Sequence, residues 1–295
     1  MRARDLIELL LLSVLWGGAY LFTRAAVPAF GPAPLVVLRF AIAAAILLPI
    51  LAHRGRLSQL RQHPRQLLIV ALPFTALPFV LLSWSALHIG AGLLAVLNAT
   101  APMFAGIVAH FFYKDRLGAT RAAGLAVGLA GVAWLVSGGN LALKTGDGAL
   151  ALAAVMLVSV TWSVGANYTR RHFGDVDPMV TTAGSLALAS LALAPLAWAT
   201  WPAEPPSARA WAEVGFLGVA SSGLGMLMYF RLLARIGAVR AMSVTFLSPV
   251  VAIVSGALYL GEAISLAVIG GTAVVLFGTA LSLGLIGRRR TPPAT

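Results

Sequence analysis

Ser13, Trp16, Tyr20 and Thr23 follow one another at intervals of three or four, and so do Ser159, Ser163, Asn167 and Arg170, with Trp162 adjoining. On a helix such spacing puts side chains on one face, so each set is a polar and aromatic stripe in an otherwise apolar stretch. Polar groups in hydrocarbon are costly unless partnered, so both stripes must face protein or water. Two chemistries fit. The stripes hydrogen-bond between helices, with Trp and Tyr serving as interfacial anchors, or they line a cavity for a solute with an apolar body and a polar end. Trp16 and Trp162 favour the cavity, because they stand near the middles of their helices, away from the interfacial belts. Tyr20, Ser163 and Asn167 join them as candidate substrate contacts. So do Asn98 and Thr245, each four residues before a proline, Pro102 and Pro249. Arg39 is either a contact for a substrate or its carboxylate, or a side chain that snorkels to an interface. Trp84 and Tyr229, towards helix ends, are candidate gates, with ordinary interface anchoring as the alternative.

Enzyme chemistry finds little support. His53, His63, His88, His110 and His172 show no metal-ligand spacing with carboxylates, and there is no cysteine to act as nucleophile or thiolate ligand. No glycine-rich phosphate loop with lysine occurs, so ATP use is not indicated. Neither metal nor cofactor is expected. The nine acidic residues all fall in loops or close to helix ends. Proton-driven carriers commonly place an acid or histidine inside the membrane, so facilitated transport or exchange without an obligatory proton is the expectation.

The elements that carry these residues are set by composition. Of the 295 residues, 60% are hydrophobic and 10% charged, against about 25% charged in soluble domains. The net charge of +12 would suggest nucleic acid in a soluble protein. Here the basic residues lie between apolar runs and read as orientation signals, with no nucleic-acid partner expected. A bilayer core of about 30 Å takes about 20 mostly apolar residues per helix. Ten segments qualify: 6–26, 33–52, 67–87, 92–113, 119–138, 148–168, 178–200, 211–231, 240–260 and 264–286. The fold class expected is therefore all-α integral membrane. The first segment is long enough to span and is expected to be retained, not cleaved as a signal peptide.

The chain is written twice. An offset of 147 places Gly90 on Gly237, Pro102 on Pro249, Asp115 on Glu262, Gly124 on Gly271 and Gly131 on Gly278. An offset of 146 places Trp16 on Trp162, Thr23 on Thr169, Arg24 on Arg170, Pro32 on Pro178 and Pro49 on Pro195. The copies divide as residues 1–140 and 141–295. One set of alternate loops and ends carries Arg2, Arg4, Arg54, Arg56, Arg61, Arg65, Lys114, Arg116, Arg121, Arg170, Arg171, Arg231, Arg235, Arg240 and Arg288 to Arg290, which is 17 of the 21 basic residues. The other set has Lys144 and Arg209. Basic loops stay cytoplasmic, so both termini are expected there. Five spans per copy is odd, so the copies enter the membrane in opposite senses, and substrate sites in such inverted repeats lie near the midplane between them. Prolines in the middle of helices remove a backbone donor, so Pro102 and Pro249 are expected to kink the fourth and ninth helices and serve as hinges.

The succession Pro249, Gly261-Glu262 and a glycine-rich last helix resembles the EamA domain of the drug/metabolite transporter superfamily. So do Leu15-Trp16-Gly17 and the repeat of its tryptophan at Trp162. The resemblance spans nearly the whole chain as two five-helix domains, although Lys114-Asp115-Arg116 stands where the second copy has Gly261-Glu262. It implies a secondary transporter of small metabolites, often amino acids or drugs and frequently outward, in a bacterial inner membrane. Aromatic residues at the expected cavity suit amino acids or related amphipathic compounds. The alternatives are a drug or sugar carrier of the same fold, a channel, or an integral membrane enzyme acting on a lipid-linked substrate. Glu262 precedes the last helix and is expected to complement that helix's dipole. Gly124, Gly128 and Gly131, with Gly270, Gly271 and Gly278, mark the fifth and tenth helices as packing scaffold, or as the contact of a homodimer.

Overall fold

The computed structural model describes residues 3–113, 118–137, 146–237, 241 and 243–285, the side chains of 105, 106, 109, 112 and 113 excepted. Arg2, Lys114, Asp115, Arg116, Lys144, Arg240, Met242 and Arg288 to Arg290, which carried part of the topology and repeat reading, lie outside the described residues. Among the described residues every regular element is helical. They are α1 Ala3–Phe30, α2 Pro32–His53, the short α3 Ser58–Gln62, α4 Pro64–Ser85, α5 Ala91–Asn98, α6 Ala101–Tyr113, α7 Ala119–Ser137, α8 Gly146–His172, α9 Pro178–Ala199, α10 Ala208–Ile236, α11 Val244–Leu260 and α12 Leu266–Ser282. Seven helices among the described residues are long and apolar enough to cross a membrane: α1, α2, α4, α7 (as Ala119–Val136), α8, α9 and α10. The apolar stretches Ala91–Phe104, Val244–Leu260 and Leu266–Ser282 are shorter.

Helix ends follow local chemistry. Asp177 accepts from the Met179 N–H and Ser265 from the Val268 N–H, so α9 and α12 start on side-chain caps. Gly261, at φ 67°, ends α11 in the left-handed conformation that glycine adopts at little cost.

Between helices in lipid there is little hydrophobic drive, and close backbone approach does the work. α7 and α12 pack on each other along their glycines: a Cβ on Gly131 would sit 2.8 Å from the Val275 nitrogen, and one on Gly124 2.7 Å from the Gly278 oxygen. The glycine rows are thus spent inside the chain, and any contact between copies on these helices would use outward residues such as Trp134 and Phe277. α2 packs on α9, α1 on α11 and α10, and α8 on α4 and α6. At the α1–α11 crossing, a Cβ on Gly17 would meet the Ser248 carbonyl at 2.7 Å.

Two helices widen at matching places. α4 is π-helical over Leu72–Ala76 and α10 over Phe216–Leu224. In α4 the wide turn coincides with Pro73, which has no N–H to give, and Thr75 Oγ1 donates to the Val70 carbonyl at 3.0 Å. In α10 it coincides with Gly218, whose missing Cβ would lie 2.5 Å from Ile42 of α2.

The fourth segment corrects an expectation. In place of one kinked helix, two separate helices meet at Ala99–Thr100, and Pro102 sits in the first turn of α6, where a missing N–H has no intrahelical partner to lose. The break is held by Thr100 Oγ1, which donates to the Leu97 carbonyl at 2.6 Å. α11, by contrast, runs unbroken through Pro249, and Ser248 Oγ donates to the Val244 carbonyl at 2.9 Å.

Candidate functional site

Arg39, two turns into α2, is 8% exposed. It does not run out to an interface. Its Nε donates to Ser222 Oγ at 2.7 Å and its Nη2 to Ser221 Oγ at 3.2 Å, and the guanidinium lies 4.7 Å from the centre of the Phe79 ring. Both serines belong to the π-helical turn at the middle of α10, which turns consecutive hydroxyls towards α2. Ser190 Oγ of α9 holds the Val37 carbonyl at 3.2 Å, tying the start of α2 to its packing partner. Among the described residues no carboxylate pairs with Arg39. Hydroxyls and a π face solvate a guanidinium but do not neutralise it, and an uncompensated buried ion costs several kcal/mol.

Further aromatic rings adjoin the partners of this cation. Trp162 of α8 lies 5.4 Å from Phe79, centre to centre. Trp16 of α1 donates its Nε1–H to the Ser221 carbonyl at 3.2 Å and lies 5.3 Å from Tyr229. Gly225 makes room for it, since a Cβ there would come within 2.8 Å of Trp16 Nε1. Asn98, the last residue of α5 before the break, donates its Nδ2–H to the Tyr20 hydroxyl at 2.5 Å, and Tyr20 lies one turn along α1 from Trp16. The Asn98 Oδ1 is buried and accepts no hydrogen bond. One region therefore gathers Trp16, Tyr20, Arg39, Asn98, Trp162 and Tyr229 from five helices.

Other expected contacts have helix-bracing partners. Ser163 Oγ shares its one proton between the carbonyls of Ser159 and Ala101, at 2.6 and 2.8 Å, so it links α8 to the start of α6. Asn167 donates to the Ser163 carbonyl at 2.9 Å and accepts from Arg170 at 3.2 Å. Thr245 is partly buried in the first turn of α11. Trp84 is apart from Tyr229: it packs on His88 at 4.6 Å, at the far end of α4.

Both ends of the bundle are tied. At one, Arg24 Nη1 donates to the Ala86 and Leu87 carbonyls at 2.7 and 3.2 Å, and His88 lies 4.0 Å from Asp147. At the other, Arg235 bridges Asp5 at 3.2 Å and also Glu8, joining α10 to α1. Beside this second end, a cavity of about 360 Å³ is lined by Arg54, Asp177, Phe230, Leu233 and Ala234 among others.

Glu262 is structural, but on a helix other than the one expected. Its carboxylate accepts from the N–H groups of Ala91 at 2.8 Å and Gly92 at 3.3 Å, capping α5, whose own N-cap Gly90 has no side chain to offer. Gly90 and Gly256 leave the space it fills.

The residues that sequence reasoning missed are Phe79, Ser221 and Ser222. The serines had a signal, a polar pair amid Gly218, Gly223 and Gly225 in an apolar span, whereas Phe79 is one phenylalanine among 13.

A profile of the EamA-like transporter family matches residues 6–137 and again 149–284. The chain belongs to the EamA-like transporter family. Relatives agree over nearly full length. A protein of Streptantibioticus cattleyicolor described as a probable terminal-alkyne amino-acid exporter is 30% identical over 287 residues, 96% of this chain and 94% of that one. The uncharacterized inner membrane transporter YedA of Escherichia coli K12 is 29% identical over 272 residues, 90% of this chain and 87% of that one. A crystal structure at 22% identity superposes with a TM-score of 0.68 over 97% of this chain and 98% of the other, which establishes likeness of fold. In EamA-like terms the Trp16, Arg39 and Trp162 region lies where helices of the two matched stretches meet.

Proposed function

We propose that this chain is a secondary transporter of small metabolites, an exporter of amino acids or related amphipathic compounds that works by alternating access. It crosses a bacterial inner membrane ten times, with both termini cytoplasmic. Residues 1–140 and 141–295 form the two inverted five-helix copies. In this reading α5 and α6 together make the fourth span. α11 and α12, at 17 residues each, rise about 25 Å and span with their flanking turns.

The observation that carries the proposal is the packing, which maps onto itself when the copies are exchanged. α1 against α11 corresponds to α8 against α6, α1 against α10 to α8 against α4, and α2 against π-helical α10 to α9 against π-helical α4; α7–α12 and α2–α9 map onto themselves. Even single contacts correspond. Gly17 lies on the Ser248 carbonyl, and its repeat partner Ser163 bonds to Ala101, the partner of Ser248. The polar and aromatic region lies on this exchange interface, as inverted-repeat carriers arrange their sites. The amino-acid assignment is supported by the name of the Streptantibioticus relative and by a cation, a free amide oxygen and several aromatic rings in one place.

Counterflow in proteoliposomes tests the proposal. With a panel of labelled amino acids, sugars and drugs, the purified protein should exchange at least one amino acid or amphipathic acid without chemical change and without an imposed pH gradient. Conversion of the compound would indicate an enzyme. Uptake with no acceleration by internal unlabelled compound would indicate a channel, and accumulation driven by a pH gradient alone would refute proton-independent exchange.

A further inference from the structure

Among the described residues one buried charge is left by the fold without an opposite charge beside it. Arg39 is 8% exposed, holds Ser221 and Ser222 through two of its three nitrogens and Phe79 through its π face, and has no carboxylate partner among the described residues. Elsewhere in the chain cations near acids are paired with them: Arg235 with Asp5 and Glu8, Arg209 with Glu213, Arg4 with Glu8. Buried charges without a partner are selected against unless something supplies the opposite charge. A guanidinium fixed by neutral hydroxyls keeps its full charge and its planar fork, the geometry that carboxylates accept.

We infer that the missing counter-ion is the substrate's own carboxylate, bound by Arg39, so the carrier selects compounds bearing a carboxylate on an apolar body. This deepens the transport reading and rests on it. Phe79, against the guanidinium, and Trp162, 5.4 Å from Phe79, suit the apolar body. The Asn98 Oδ1, buried without a donor, suits a substrate N–H or O–H. A compound with both groups, an α-amino acid with an apolar side chain, offers a carboxylate for the cation and an N–H for the amide oxygen.

The rival is a purely structural arginine that pins the wide turn of α10 to α2. Thermal unfolding of the purified protein in detergent separates the two, with 3-phenylpropionate, L-phenylalanine, 3-phenylpropanamide and 2-phenylethylamine as probes. The two carboxylates should raise the wild-type midpoint, and the amide and the amine, equal in apolar body, should not. Arg39→Gln should weaken the response to carboxylates by about 10- to 100-fold in midpoint concentration, and Arg39→Lys should restore part of it. Equal shifts from the amide or amine, no shift from either carboxylate, or an undiminished carboxylate response in Arg39→Gln would each overturn the inference. The wild-type comparison of acid with amide decides the matter even if Arg39→Gln does not fold. Counterflow keeps the two readings apart. Exchange of amines that Arg39→Gln leaves unchanged removes the carboxylate assignment and leaves a carrier, whereas carboxylate binding without exchange of any compound leaves Arg39 as a binding residue and removes the carrier.

Discussion

Glu262 holds two backbone N–H groups of α5 across a separation of 170 residues, and it does so as a charged acceptor at a helix N-terminus. Hydrogen bonds to charged groups contribute about 1.5–3 kcal/mol each when buried, less at a half-buried site. Glu262→Ala should therefore lower stability by about 2 kcal/mol and Glu262→Gln by about half of that, read as thermal midpoints in detergent. Midpoints equal to wild type in both would remove the capping role. That Glu262 is structural was legible from its place just before a helix. Which helix it serves was not, because the sequence shows neighbours in the chain and the cap is made in space. Arg39 has the same history. A charge in an apolar run announces itself, yet the choice between snorkelling and an inward direction depended on Ser221 and Ser222, whose exposure to α2 comes from a π-helical turn that no simple periodicity predicts.

At the scale of elements, α7 and α12 depend on glycine for contact, and substitution separates the positions that pack from those that face lipid. Gly278→Val should cost about 3 kcal/mol or more, whereas Phe277→Val next to it, at 51% exposure, should stay close to wild type. Equal losses in both would show that the close approach is not what holds the pair. A second prediction concerns the ties at the ends. Arg24 holds the Ala86 and Leu87 carbonyls just past the end of α4, but its repeat partner Arg170 is exposed, and the corresponding positions in α10, Leu233 and Ala234, line the 360 Å³ cavity instead. If the copies exchange conformations, Arg170 takes those carbonyls in the other state and Arg24 lets go. Arg24→Gln should then speed reaction of a cysteine at Ser83 with an impermeant thiol reagent several-fold, and Arg170→Gln should slow it. Rates unchanged in both variants would count against the exchange. Glycine spacing made the α7–α12 pair readable in advance. The break before Pro102 was not, since proline signals a disturbance and leaves open whether the helix bends or stops.

For the whole molecule, the apolar runs and the double set of repeat matches made helix class and approximate boundaries legible, because both are properties of sequence spacing. The pairing of α1 with α11 and of α8 with α6, which puts the first helix of each copy against the other copy, was not, and it is what brings Trp16 and Trp162 to one interface. Alternating access in this chain requires the two copies to lie in the membrane in opposite senses. Leu57 and Ala203 occupy equivalent places in the two copies, 146 positions apart, and both are exposed. Because the chain has no cysteine, Leu57→Cys and Ala203→Cys each present a single thiol to an impermeant reagent in intact cells. The expected result is labelling of Ala203→Cys, with Leu57→Cys labelled only after the membrane is opened; labelling of both from the same side would contradict the inverted arrangement and the alternating-access reading built on it.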